Sequence, residues 1–199
     1  MKIETLGRFK RVTIAPGEFY ASDEAVTIST LLGSCVAACL YDPVNKIVGM
    51  NHFLLSNRRY ARDMPMYATE AGRYGIHAME LLIDEMMRLG AVRRYLKAKA
   101  FGGAKILPHT GEVGNFFCVN EVNCRFIREF LASENIPLLA EDLGGERGKV
   151  IHFSNGDYAV YMRKIGGTRS ERLAIRDRSC WLKAIEAQEQ TFPSADIWL

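Results

Sequence analysis

Residues 35–55 read CVAACLYDPVNKIVGMNHFLL and are the most informative segment of the chain for its fold. Two apolar runs, at residues 35–41 and 47–55, flank the segment DPVNK at residues 42–46. Aspartate, proline and asparagine are typical of tight turns, because they fix the backbone or hydrogen-bond to it locally. Two apolar runs joined by such a turn predict a β-hairpin, which begins with a cysteine and carries a histidine near its end.

The cysteine and the histidine of this hairpin, Cys35 and His52, could meet in space. If the turn occupies Asp42–Asn45, Tyr41 lies opposite Lys46, and the same register places Cys35 opposite His52. Directly opposed side chains share a face, with Cβ atoms about 4.5–5.5 Å apart. A turn one residue longer would move His52 to the other face of the hairpin. The spacing therefore allows a thiol–imidazole pair.

Such a pair would be the nucleophile and the base of a cysteine hydrolase or transferase. A neighbouring imidazolium lowers the pKa of a thiol and makes the thiolate available. Gly33 and Ser34, directly before the cysteine, allow a sharp bend that points backbone N–H groups at a developing oxyanion. Ser29 or Thr30, on a strand expected beside the hairpin, could orient the second ring nitrogen of His52.

Two other interpretations of the same residues stay open at this point. Buried cysteines are common, so Cys35 could be an ordinary core thiol and His52 a hydrogen-bonded strand histidine. A zinc site formed by Cys35, Cys39 and His52 is the second alternative. Residues four apart on a strand lie about 13 Å apart, which is too far for one metal ion. Structural zinc sites also favour short Cys-x-x-Cys segments, which disfavours this alternative.

Periodicity along the rest of the chain predicts a mostly β core with helices. Apolar residues recur at helical spacing over residues 70–89, and Gly90 follows as a stop signal. The pattern also predicts helices at residues 119–134 and 181–189, and strands at residues 11–14, 25–31, 95–101, 137–142, 150–153 and 158–164. We expect a layered α+β fold, with one domain over residues 1–167 and a partly helical C-terminal extension over residues 168–199.

Composition limits the classes of function. The 199 residues are 48% hydrophobic and 25% charged with a net charge of +3, which is typical of a soluble globular protein. No apolar run reaches the roughly 18 residues of a membrane span, and the first residues lack the apolar core of a signal peptide. The five cysteines form no regular framework, which favours free thiols in a reducing compartment. We therefore expect a cytoplasmic protein, a monomer, that binds no nucleic acid.

Several segments together resemble the CheD family of bacterial chemotaxis proteins, the chemoreceptor glutamine deamidases. They are TLLGSCVAACLYDP at residues 30–43, GMNHFLL at residues 49–55, FGGA at residues 101–104 and the stretch at residues 127–148, which contains EDLGG. The resemblance covers approximately residues 10–166. It implies a central β-sandwich of mixed sheets flanked by helices.

The resemblance also implies an activity and a site. The chain would be an amidohydrolase acting on carbon–nitrogen bonds other than peptide bonds, converting receptor glutamines to glutamate without a metal or an organic cofactor. Cys35 matches the family's nucleophile and His52 its general base and acid, while Ser29 stands where the family has a threonine, with Thr30 as the alternative. The cytoplasmic helices of chemotaxis receptors would be the substrate. Receptor methylesterase activity, or regulatory binding to a CheC-type phosphatase, are the alternatives.

Overall fold

The computed structural model describes residues 1–7, 9–55, 69–106, 119–166 and 168–191, which contain ten strands, three α-helices and one turn of 3-10 helix at Arg93–Tyr95. The strands are β1 (Lys2–Leu6), β2 (Phe9–Thr13), β3 (Phe19–Ser22), β4 (Val26–Leu32), β5 (Val36–Asp42), β6 (Ile47–Asn51), β7 (Lys97–Gly102), β8 (Leu138–Leu143), β9 (Lys149–Ser154) and β10 (Val160–Lys164). The helices are α1 (Glu70–Arg88), α2 (Val119–Ser133) and α3 (Thr168–Thr191).

The strands form two mixed five-stranded sheets. The first has the order β1-β2-β4-β9-β10, in which β2 and β4 run parallel and the other neighbours antiparallel. The second has the order β3-β6-β5-β7-β8, in which only β7 and β8 run parallel. The predicted layered α+β fold with a sandwich of mixed sheets is confirmed.

The second sheet is the middle layer, and β5 lies at its centre. One face of β5 packs against the first sheet through Ala37, Cys39 and Tyr41, while the other face packs against the helices through Ala38 and Leu40. Every residue of β5 is buried for this reason. A strand covered on both faces has an unbroken apolar run instead of alternation, which is what residues 35–41 show.

The helices α1 and α2 cover the outer face of the middle sheet, and both predicted helices are confirmed. The Thr69 side chain caps α1 by accepting from the Gly72 N–H at 3.0 Å. Helix α1 lies against β6, where a Cβ at Gly49 would be 2.7 Å from the sulfur of Met86. Glycine at this position therefore lets the helix approach the strand closely.

Three elements differ from the sequence prediction. The strands β1 and β3 were not predicted, because they are short and β1 alternates with charged residues. The predicted helix at residues 181–189 is too short, since α3 begins at Thr168 and is 24 residues long. The division of the chain at residue 167 stays a prediction. None of the helices in the described ranges combines the length and apolar character that crossing a membrane requires.

Candidate active site

Cys35 lies where the chain crosses from the first sheet to the second, directly before β5, and it is fully buried. Backbone hydrogen bonds hold this turn: the Gly33 carbonyl accepts from the Ala104 N–H at 2.7 Å, and the Cys35 carbonyl accepts from the Gly103 N–H at 2.7 Å. A Cβ at Gly102, whose φ is +118°, would collide with the Cys35 carbonyl oxygen. Glycine at the end of β7 therefore allows this close approach.

A buried lysine fixes the loops behind the turn. The Nζ of Lys149 donates to the carbonyls of Gly102, Asp142 and Gly144 at 3.1, 2.6 and 2.9 Å. It also lies 2.7 Å from the Asp142 carboxylate. A buried ammonium is stable only when it is paired and hydrogen-bonded in this way. The network joins the ends of β7 and β8 to the start of β9, and so supports the glycine segment beside Cys35.

His52 follows β6, and its backbone is bonded to the turn before β3. Its N–H donates to the Glu18 carbonyl at 3.0 Å, and its carbonyl accepts from the Gly17 N–H at 2.7 Å. The imidazole is buried and reaches toward β4 in the opposite sheet. The ring therefore lies between the two sheets, on the same side of the middle sheet as the Cys35 thiol.

The predicted register, with Cys35 directly opposite His52, is wrong by two residues. The strands pair Asp42 with Ile47, and the isolated bridge between Val36 and Phe53 continues the same register. The turn closes after Asp42 because its carboxylate accepts from two backbone N–H groups inside the turn, at 2.9 and 3.0 Å. An even shift keeps both side chains on one face. They become diagonal neighbours, whose Cα atoms typically lie about 7–8 Å apart.

Thr30 fixes the tautomer of His52. The Thr30 hydroxyl donates to the Ile14 carbonyl at 2.8 Å, and its oxygen lies 2.7 Å from His52 Nδ1. A hydroxyl has one proton, and the carbonyl can only accept, so the second contact must be a donation from Nδ1–H to the hydroxyl oxygen. The lone pair of the neutral ring is therefore on Nε2. This buried atom has no hydrogen-bond partner among the described residues, so it can accept a proton.

Ser29, the first residue expected to orient His52, is replaced in that contact by Thr30. Neighbouring residues of a strand point to opposite faces, and the Ser29 hydroxyl lies on the outer face of the first sheet. There it is 2.7 Å from Nδ1 of His152, its cross-strand partner on β9. Ser29 and Thr30 both lie on β4, which belongs to the opposite sheet and does not lie beside the hairpin as we expected. Only Thr30 shares the inner face with His52.

Asn123 on α2 joins the two halves of the site, and sequence analysis missed it. Its amide donates to the Ser34 carbonyl at 2.9 Å, and its carbonyl oxygen accepts from the Leu55 N–H at 2.9 Å. The fully buried side chain thereby holds the turn before Cys35 against the segment after His52. An asparagine within the apolar face of a helix was the available signal, because a buried amide needs specific partners.

Asp177 on α3 is the second residue that sequence analysis missed. Its Oδ2 accepts from the Ser34 N–H at 2.8 Å and from the Ser34 hydroxyl at 2.9 Å. The guanidinium of Arg176 donates to Asp177 Oδ1 at 2.9 Å and to the Leu31 carbonyl at 2.9 Å. The Asp177 carboxylate is thus fully buried beside the turn before Cys35, whereas its positive partner Arg176 is partly exposed.

Burial sets the protonation of the pair. Desolvation raises the pKa of the Cys35 thiol well above its usual range, and the Asp177 charge raises it further. Desolvation, with a smaller effect from the positive charge of Arg176, lowers the pKa of His52 to about 3. A neutral thiol and a neutral imidazole therefore face the space between the sheets. With both groups buried in this way, the pair is not in the thiolate–imidazolium state that the sequence led us to expect.

A cavity of about 370 Å³ borders the site from the side of α1 and α3. Its lining is largely apolar and includes His52, Phe53, Leu55, Tyr74, Leu81 and Cys180. Within the described ranges, no group of three or more histidine, cysteine or acidic side chains is arranged to hold a metal ion. The described residues include a buried thiol, an imidazole whose Nε2 has no hydrogen-bond partner among them, and the hydroxyl that contacts the other ring nitrogen.

The chain matches a known protein family. Residues 54–164 match the family model described as CheD chemotactic sensory transduction. The match covers more than half of the chain, including α1, α2 and the strands β7 to β10, and it begins two residues after His52.

Similar proteins extend over nearly the whole chain. A protein of Geobacter sulfurreducens, named probable chemoreceptor glutamine deamidase CheD 1, is 58% identical over 94% of this chain and 94% of its own length. A Shewanella oneidensis protein, named probable chemoreceptor glutamine deamidase CheD 2, is 44% identical over 83% of this chain and 82% of its own. A Sinorhizobium medicae protein with the corresponding CheD name is 38% identical over 96% of this chain and all of its own length.

Proposed function

Since the chain belongs to the CheD family, we propose that it is a protein-glutamine deamidase that converts selected glutamines of chemotaxis receptors to glutamate. The names of its relatives support an enzyme that acts on the glutamine amide. The observation that carries the chemistry is the Thr30–His52 hydrogen bond, because it leaves the bare Nε2 on the face that Cys35 shares. The proposed substrate, the cytoplasmic helices of receptors, places the reaction in the cytoplasm.

The proposed first half-reaction forms a thioester. His52 Nε2 takes the proton of the Cys35 thiol, and the thiolate attacks the Cδ of the glutamine side chain. The Ser34 N–H and hydroxyl, at the turn formed with Gly33, donate to the oxyanion. The imidazolium then gives its proton to the amide nitrogen, the carbon–nitrogen bond breaks, and ammonia leaves.

The proposed second half-reaction regenerates the thiol. His52, neutral again, takes a proton from a water molecule, which attacks the thioester carbon. The carbon–sulfur bond breaks, Cys35 recovers the proton from the imidazolium, and glutamate is released. Throughout both steps, Thr30 accepts from Nδ1–H and is a positioning residue, because it touches the base and not the substrate.

A pair of variants tests this function with a matched control. Cys35→Ala removes the nucleophile, whereas Cys39→Ala removes an equally buried thiol on the same face of β5. We expect Cys35→Ala to abolish ammonia release from a receptor cytoplasmic fragment and Cys39→Ala to retain it. Undiminished release by Cys35→Ala would contradict the proposal.

The same experiment separates the alternatives. Release of methanol from a methylated receptor fragment, without ammonia from a glutamine-containing one, would identify a receptor methylesterase. A Cys35→Ala protein that still supports chemotactic adaptation in cells would favour a regulatory role, such as binding to a CheC-type phosphatase.

A further inference from the structure

Helix α3 closes the approach to the cysteine. A Cβ at Gly33 would collide with Asp177 Oδ2 and lie 3.1 Å from Leu173, so the helix lies directly on the turn that precedes Cys35. Leu173 also lies against Gly148, just before β9. With α3 in this position Cys35 is fully buried, and a glutamine side chain cannot reach its thiol.

Asp177 occupies the donors that the reaction needs. The Ser34 N–H and hydroxyl both donate to one oxygen of its carboxylate. These are the groups that the proposed mechanism assigns to the oxyanion. The product of deamidation is itself a side-chain carboxylate, so Asp177 presents to Ser34 the same chemical group that the product would present.

Among the α3 side chains that the structure describes, the buried ones form a narrow stripe. Leu173, Ala174, Asp177 and Trp181 are buried, whereas Ile175 is 70% exposed on the same helix. A helix held by one narrow stripe and packed on loops can open locally without unfolding the sheets. The strand β5, by contrast, is buried along its whole length.

We propose that α3 is a removable cover of the active site, and that Asp177 marks the subsite for the oxygen of the substrate carboxamide. The proposal rests on the deamidase function for the identity of the substrate, but not for the movement of the helix. The chain with α3 closed is inactive, and a substrate side chain enters when α3 leaves the turn at Gly33–Cys35.

Alkylation of the thiols in the full chain tests the cover directly. Leu173→Ser weakens the buried stripe without changing any charge near Cys35, and Ile175→Ser is the matched control on the exposed side of α3. Loss of a buried leucine should raise the rate of Cys35 alkylation by iodoacetamide at least about tenfold, and Ile175→Ser should leave it near the wild-type rate. Fragment-ion mass spectrometry assigns the label, and Cys39 reports global unfolding because it is buried within β5.

An equal rate of Cys35 alkylation in Leu173→Ser and wild type would contradict the proposal that α3 covers the site. Alkylation of wild-type Cys35 at the rate of an exposed thiol would contradict it as well. If Leu173→Ser unfolds and labels Cys39 as well, hydrogen exchange of the wild-type chain decides. The α3 amides must then exchange faster than those of β5, and equal protection overturns the proposal.

Ammonia release separates this proposal from the deamidase function. Leu173→Ser should also release ammonia from a receptor fragment at least as fast as wild type. Faster alkylation of Cys35 in a chain that never releases ammonia would support the cover and contradict the deamidase function.

Discussion

Thr30→Val is the sharpest test of how His52 is positioned. Valine keeps the shape of the threonine side chain and removes only the hydroxyl, so His52 loses the acceptor of its Nδ1–H at 2.7 Å. The Ile14 carbonyl loses its donor at the same time. The ring can then rotate or take the other tautomer, in which Nε2 carries the proton and cannot accept the one from Cys35.

The magnitude follows from the charge that His52 acquires. When the ring takes the thiol proton, its hydrogen bond to Thr30 is a bond to a charged group, worth about 1.5–3 kcal/mol. Since each 1.36 kcal/mol changes a rate tenfold, the rate of deamidation should fall about 10- to 150-fold. Two buried polar groups are also left unpaired at a cost of about 1–3 kcal/mol each, which should lower the free energy of unfolding by about 2–6 kcal/mol.

Ser29→Ala is the matched control, one residue away on the same strand. It removes a hydroxyl that contacts His152 on the outer face, and not His52. We expect its rate to stay near that of wild type, with a loss of stability of about 1 kcal/mol. Ammonia release from a receptor fragment, at saturating and limiting substrate, measures both variants. Full activity of Thr30→Val, or an equal loss in Ser29→Ala, would show that the Thr30 hydroxyl does not position His52.

Two further predictions concern stability. Because the pKa of His52 is about 3 in the folded chain and near 6.5 when unfolded, the unfolded state binds more protons between these values. The free energy of unfolding should therefore fall by about 1.4 kcal/mol per pH unit as the pH decreases from 6.5 toward 3. Denaturant titrations at several pH values measure this slope, which should be shallower in His52→Gln than in wild type. Lys149→Met leaves the Asp142 carboxylate and three carbonyls without their buried ammonium. The change should lower the free energy of unfolding by about 3–5 kcal/mol. The corresponding decrease in Tm is about 6–20 °C. Lys164→Met, which removes a 53% exposed partner of the same carboxylate, should change stability by less than about 1 kcal/mol in the same thermal melts.

The sequence predicts the hairpin and the two helices that cover it, because their signals are local. The turn chemistry around Asp42 and the helical spacing over residues 70–89 both lie within a few residues of the element they specify. The register of the hairpin is harder to predict. The predicted turn at residues 42–45 and the observed turn at residues 43–46 share three of their four residues. The Asp42 carboxylate decides between them by bonding inside the turn.

The sequence also contains the information needed to decide whether Ser29 or Thr30 contacts His52. Val26, Ile28 and Leu32 alternate along β4 and must face the core, and Thr30 is in phase with them. Ser29 is out of phase and therefore points outward. The family pattern favoured Ser29, because it lies six residues before the cysteine. The periodicity of β4 favours Thr30, because it shows which residues face the space between the sheets.

Asp177 could not be predicted in this way, because its contact with Ser34 joins residues 143 positions apart. No local pattern specifies such a contact. The apolar residues of α3 are also few, so the arginines and acidic residues hide its buried stripe. Long-range contacts of a polar side chain become visible only when the elements are placed in space.

The burial that protects the site also keeps it unreactive. Ionising the Cys35–His52 pair is opposed by desolvation of both groups and by the Asp177 charge beside the thiol. Departure of α3 would admit water and carry that carboxylate away, and both changes lower the pKa of the thiol. It would also remove Arg176, whose charge lowers the same pKa, but this effect is smaller than that of burial or of Asp177. It would also free the Ser34 N–H and hydroxyl for the oxyanion. One movement of α3 would then let substrate reach Cys35, favour ionisation of its thiol and free the donors for the oxyanion. Cys35 would therefore be exposed only when the Ser34 N–H and hydroxyl are available.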